Sequence, residues 1–90
     1  MTNYTKNETV ISLKDIINKK KHILYVSHDT EDGAWQFLDG GIDHHKDDAV
    51  LVSLQSIIDI DNSVKELLIM PLGHKAERST VKEKWIIGKL

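Results

Sequence analysis

The residues best suited to chemistry lie between Asp43 and Asp48, in a segment that reads DHHKDD. Imidazole and carboxylate groups bind divalent metal ions, and a histidine–aspartate pair earlier in the chain would extend such a site. Adjacent histidines rarely both reach one ion, and the chain has neither an H-E-x-x-H motif nor any cysteine. A metal site is for this reason only the alternative to the interpretation developed below. It would make the chain a small metal-binding enzyme or accessory protein that uses His28, Asp29, His44, His45 and Asp48.

The same segment ends a longer acidic stretch that runs from Asp29 to Asp48. This stretch contains seven of the chain's 14 acidic residues and only one lysine. Concentrated negative charge beside aromatic residues is suited to binding a positively charged partner. The predicted partner-binding residues are Asp32, Trp35, Asp39, Asp43, Asp47 and Asp48.

Nucleophilic catalysis is disfavoured by the sequence. The run Ser27-His28-Asp29 contains the residue types of a catalytic triad, but neighbours on an extended strand point to opposite faces. No G-x-S-x-G elbow, phosphate-binding loop or dinucleotide fingerprint occurs. The chain is therefore interpreted as non-enzymatic, with no cofactor.

Composition predicts one small globular domain. The 90 residues are 40% hydrophobic and 29% charged, with a net charge of -2 and no cysteine. The basic run Lys19-Lys20-Lys21 lacks interleaved aromatic residues, so nucleic acid is not an expected partner. No apolar run reaches the roughly 20 residues that span a bilayer, and no signal-peptide core is present. The expected location is the bacterial cytoplasm.

In the first half of the chain, residues 1–8 are expected to be flexible. Ser12 is predicted to cap a helix from Leu13 to Lys20, because apolar residues then recur at helical spacing. Two runs rich in β-branched and aromatic residues, 22–28 and 34–38, predict a hairpin.

In the second half, residues 49–52 predict a short strand that leads into a helix capped by Ser53. Ser63 and Glu66 have the spacing of a capping box for a further helix. A second hairpin is predicted from His74 onward. The fold class is α+β, with a mostly antiparallel sheet of about five strands and two or three short helices on one face.

Several short motifs follow one another between Val26 and Trp85. They are Val26-Ser27, Asp32-Gly33, Trp35, Phe37, Val52-Ser53-Leu54, Asp61-x-Ser63, Leu67-Leu68, Pro71-x-Gly73 and Arg78. In these motifs the chain resembles a widespread family of small bacterial proteins of unknown function, some of which are immunity proteins (type thirty-three) of polymorphic toxin systems. The resemblance implies toxin binding and supplies no catalytic residues. Residues 39–48 lie outside the shared pattern.

Together these features favour a protein-binding inhibitor that neutralises a basic toxin domain by occlusion. The second interpretation is the metal-binding protein described above. A third is a homodimer, formed when an exposed sheet edge pairs with its copy.

Overall fold

The structure is a computed structural model that describes residues 7–41 and 46–90. Within these two ranges, ten elements follow one another: β1 (Thr9–Leu13), α1 (Lys14–Ile17), β2 (Tyr25–His28), β3 (Trp35–Leu38), the 3₁₀ helix η1 (Lys46–Asp48), β4 (Ala49–Ser53), α2 (Leu54–Ile60), the 3₁₀ helix η2 (Asn62–Leu67), β5 (His74–Glu77) and β6 (Ile86–Lys89). In the described ranges, no helix has the length and apolar character needed to cross a membrane.

The six strands form one sheet in the order β4-β1-β3-β2-β5-β6. β1 and β3 run parallel, while every other neighbouring pair is antiparallel. The predicted α+β class with a mostly antiparallel sheet is confirmed. The sheet has one strand more than the predicted five, because β1 covers residues 9–13, where the sequence predicts only a helix cap at Ser12 and a helix start at Leu13.

Alternation along the strands divides the sheet into two faces. Val10, Val26, Phe37 and Ala76 share one face and are fully or almost fully buried. On this covered face they join one core cluster with residues of the helices: Ile16, Leu54, Ile57, Ile58, Val64 and Leu67. α1, α2 and η2 therefore contribute to the core on the same side of the sheet, as predicted, whereas η1 adds no residue to it.

Ser12 is a strand residue, so its predicted role as a helix cap is wrong. Its buried hydroxyl donates a hydrogen bond of 2.8 Å to the carbonyl oxygen of Phe37 and thereby links β1 to β3. The helix α1 begins at Lys14 without a side-chain cap and ends at Ile17. The helical spacing of Leu13 and Ile16 predicts a longer helix than the structure contains. A strand that leads directly into a short helix also buries both residues in the core.

Of the two caps predicted for the later helices α2 and η2, one is correct and one is wrong. Ser53 caps α2 as predicted, with its hydroxyl accepting from the backbone N–H of Ser56. The cap of η2 is Asp61, whose carboxylate accepts from the backbone N–H of Ser63. The predicted capping box of Ser63 with Glu66 is therefore wrong, because the helix begins earlier.

Two glycines with similar backbone angles allow a matched test of local packing. Gly40 has φ +82° and Gly73 has φ +78°, so alanine is strained at either position by about 1 kcal/mol. A Cβ at Gly73 would also lie 2.7 Å from Oγ1 of Thr30, whereas at Gly40 the nearest atom is 3.7 Å away.

We expect Gly73→Ala to lower the free energy of unfolding by about 2 kcal/mol and Gly40→Ala by about 1 kcal/mol. Urea titrations of both variants measure the difference. Adding Thr30→Ala to Gly73→Ala is expected to return the loss to that of Gly40→Ala. Equal losses in the two single variants would contradict the contact with Thr30.

Candidate interaction surface

The second face of the sheet, here called the open face, is exposed near its edges, whereas its centre is half-buried and Ser27 there is 3% exposed. Two large apolar side chains stand on it near opposite edges, Leu51 on β4 and Ile86 on β6, with exposed fractions of 71% and 72%. Strand register places the following described side chains on this open face: Ile11, Tyr25, Ser27, Gln36, Leu38, Leu51, Lys75, Glu77 and Ile86. An antiparallel sheet with one solvated face is common, and five of these nine side chains are apolar or aromatic.

One end of the open face is bounded by the turn between β2 and β3. Asp29 projects onto the open face, where its carboxylate accepts a hydrogen bond of 2.7 Å from Nε2 of Gln36. Asp32 is exposed, and one of its carboxylate oxygens accepts from the backbone N–H of Ala34. This bond fixes the turn while the carboxylate stays in solvent.

The opposite end of the open face is bounded by the segment after β3. Asp39 lies here and is largely withdrawn from solvent, with 7% of its side chain exposed. Its carboxylate accepts from the backbone N–H of Gly41 and lies 3.3 Å from Nζ of Lys21. Asp39 therefore stabilises the turn and is largely neutralised by a lysine of the same chain.

Asp47 and Asp48 belong to η1 and lie at the same end of the sheet as Asp39. This follows from topology, because Ala49 at the start of β4 pairs with Leu13 at the end of β1, and β1 runs parallel to β3. Asp47 is exposed and Asp48 is half-buried.

The predicted acidic residues consequently do not form a single patch. Asp32 lies at one end of β3, whereas Asp39, Asp47 and Asp48 lie at the other, about 13 Å away for a strand of four residues. Asp43 is outside the described residues. Acidic groups contiguous in sequence are thus divided between the two ends of the open face.

Trp35, which the sequence predicts as a partner-binding residue, lies on the covered face and is 6% exposed. Its ring is stacked on His28, with centroids 3.9 Å apart and planes inclined by 13°. Its ring centroid also lies 6.1 Å from that of Phe37, with the planes inclined by 15°. These contacts favour a core role for Trp35, beneath the surface that a partner would touch.

The described members of the predicted metal cluster are not brought together. His28 lies on the covered face, where its Nδ1 is 2.9 Å from the carbonyl oxygen of Met70 and donates to it. Asp29 projects onto the open face, and Asp48 lies at the far end of the sheet. His44 and His45 are outside the described residues. Within 7–41 and 46–90, no three metal-ligating side chains form a group that could hold an ion.

Within the part of the chain that the structure describes, a polar network surrounds Arg78, whose place in the family motif suggests a buried pairing with an acidic residue. The Arg78 side chain is 3% exposed. Its Nε and Nη2 both donate to the carbonyl oxygen of Ile23, at 3.1 and 2.9 Å. Nη2 also donates to the Asp61 carboxylate, and Nη1 donates to the Ser63 hydroxyl at 3.2 Å. The sequence pattern that indicates this network is the motif Asp61-x-Ser63 followed by an arginine later in the chain.

Trp85 closes this network from the side of β6. The guanidinium carbon of Arg78 lies 4.1 Å from the centre of the Trp85 ring, a cation–π contact. The indole N–H donates to the Ser63 hydroxyl at 3.2 Å. Arg78 thus connects the segment before β2, the start of η2 and the segment before β6.

Burial alone would raise the pKa of the Asp61 carboxyl. Hydrogen bonds from the Ser63 hydroxyl, from Arg78 and from the Ser63 backbone N–H act in the opposite direction, as does the charge of Arg78. Together they outweigh burial and hold the pKa of Asp61 below its ordinary value of 3.8. The network is therefore a charged pair that stays ionised at neutral pH, and its geometry is that of a structural connection.

Comparisons with known proteins add no relative: no family model, no curated protein and no solved structure matches this chain.

Proposed function

We propose that this chain is a non-enzymatic protein-binding module that acts in the cytoplasm and neutralises a basic toxin domain by occluding it. The observation that carries the proposal is the open face of the sheet, with exposed apolar side chains near its two edges and exposed carboxylates at both ends. The sequence resemblance to immunity proteins is the reason for proposing a toxin as the partner.

The charges around the open face support a basic partner. Asp32 is exposed at one end and Asp47 at the other, while Asp29 projects onto the face itself. The positive charge of Lys75 on this face is offset by Glu77, 3.5 Å away. A partner with two separated basic groups on either side of an apolar contact would complement this arrangement.

The division of the acidic groups makes the proposal testable one end at a time. We expect Asp32→Lys and Asp47→Lys each to weaken binding about tenfold, and the double variant to weaken it further. The matched controls are Asp59→Lys and Glu66→Lys, which reverse exposed charges on the helices of the covered side and are expected to change the affinity little.

We expect the adjoining reading frame to encode the toxin domain. That domain is titrated with the purified chain at low and high salt. Affinity is expected to fall as salt rises, because the steering charges are screened. Survival of cells that produce both proteins is the functional measurement. Failure of the two proteins to bind, or an equal loss in the helix-side controls, would overturn the proposal.

A further inference from the structure

The edge strand β4 has an unpaired outer side among the described residues. The backbone N–H of Leu54 donates to the carbonyl oxygen of Glu8 at 2.8 Å, so in this antiparallel pair Val52 and Val50 also direct their backbone groups toward β1. The intervening residues, Ala49, Leu51 and Ser53, direct theirs outward. The outer side of β4 therefore offers hydrogen-bonding groups to another strand.

The composition of β4 does not protect this edge. Its sequence is AVLVS, with no charge, no proline and an exposed leucine at its centre. Proteins usually protect an edge strand with a charge, a proline or a bulge. The other edge strand, β6, carries Lys89. An uncharged strand allows two identical copies to approach without like-charge repulsion along the contact.

A shallow apolar groove runs beside β4 on the covered face. It has a volume of about 180 Å³, and Ile17, Val50 and Val52 form its apolar lining, with Lys14 and Asn18 at its sides. A strand added to the edge would place alternate side chains over this groove and the others beside Leu51. The groove therefore favours an occupant with aliphatic side chains at every second position.

We propose that β4 pairs antiparallel with the β4 strand of a second copy, through a two-fold axis at Leu51. The strand reads nearly the same in both directions about Leu51, so this register places Val50 against Val52 of the partner, and Leu51 against the partner's Leu51. The two apolar grooves then meet on one side of the joined sheet. Any other register that still uses the outward-facing backbone N–H and C=O groups pairs fewer residues of the two strands, or no longer places Val50 opposite Val52 and Leu51 opposite Leu51.

The contact between the two β4 strands buries little surface, so the dimer is expected to be weak. A strand of five residues is about 17 Å long and a sheet about 10 Å thick, so the interface lies well below the roughly 800 Å² per partner of a typical stable complex. The dimer is therefore reversible and depends on concentration. It uses Leu51 at one edge of the open face and leaves the rest of that face accessible, so dimerisation is measured on the chain alone, separately from partner binding.

Leu51→Lys and Ile86→Lys provide a matched test, because the two side chains are exposed to nearly the same extent on opposite edge strands of the same face. Sedimentation equilibrium from micromolar to millimolar concentration is expected to show the wild type changing from monomer to dimer. Leu51→Lys is expected to weaken dimerisation at least tenfold, and Ile86→Lys to leave it unchanged. Circular dichroism and urea titration of each variant show whether it is folded.

A single cysteine identifies the register, because the natural chain contains none. Under mild oxidation, Leu51→Cys is expected to form a disulfide-linked dimer that keeps the wild-type circular dichroism, whereas Ile86→Cys is expected to cross-link much more slowly. A wild-type chain that stays monomeric to millimolar concentration would overturn the proposal. So would dissociation caused by Ile86→Lys while Leu51→Lys still dimerises.

Discussion

Replacement of Asp61 with alanine is expected to lower the free energy of unfolding by about 3 kcal/mol at neutral pH. The substitution leaves the Arg78 guanidinium buried without its carboxylate, and removing one member of a buried ion pair typically costs about 3–5 kcal/mol. The lower end of this range applies because the Asp61 side chain is 21% exposed. Urea unfolding, followed by circular dichroism, measures the loss.

Asp59→Ala is the matched control for this variant. Asp59 lies two residues earlier, is exposed, and accepts a hydrogen bond of 2.8 Å from Nε2 of Gln55. Its removal is expected to cost about 0.5 kcal/mol, as for most surface positions. The double variant Asp61→Ala, Arg78→Met is expected to be less destabilised than the sum of its two single variants, because no buried charge remains. A simple sum would show that the two side chains are not coupled.

The same pair determines a pH dependence. The pKa of Asp61 is lowered in the folded protein, so the ionised carboxylate contributes stability that is fully present above its ordinary value of 3.8. This contribution is lost as the pH falls from about 4 through the lower folded-state pKa. The difference in unfolding free energy between the wild type and Asp61→Ala is therefore expected to be constant near neutrality and to shrink below pH 4. A difference that grows in acid would contradict the lowered pKa.

Local patterns predicted those elements whose partners lie nearby in the chain. The β2–β3 hairpin and the cap of α2 by Ser53 are formed by residues a few positions apart, and both were predicted correctly. β1 was missed because its partners, β3 and β4, lie more than 20 residues away, and its Ser12 has the same residue type as a helix cap. A strand stabilised by distant pairing has little local signal.

The candidate surface was harder to predict for the same reason. The density of carboxylates along the chain predicts a single acidic region. In the structure, the four residues of β3 separate Asp32 from Asp39, so the two lie at opposite ends of the sheet. The open face itself is formed by alternate residues from all six strands, so it becomes visible only when strand order and register are known. The Arg78 network likewise joins residues up to 55 positions apart.

Trp35→Ala is expected to lower the free energy of unfolding by about 4 kcal/mol. Removing a large aromatic side chain from a core usually costs about 3–5 kcal/mol. Here the loss includes the stacking with His28 and the contact with Phe37. In this variant the remaining tryptophan, Trp85, reports unfolding by fluorescence. Trp35→Phe keeps an aromatic ring on the covered face and is expected to cost about 1–2 kcal/mol.

The Trp35→Phe variant also separates a core residue from a partner-binding residue. Because the ring is 6% exposed and lies on the covered face, the folded variant is expected to bind a partner of the open face as tightly as the wild type does. An anchor residue at an interface would instead cost at least tenfold in affinity when truncated, with little change in stability. Measuring urea stability and partner affinity on the same preparation distinguishes the two roles, and an affinity loss at unchanged stability would contradict the core assignment.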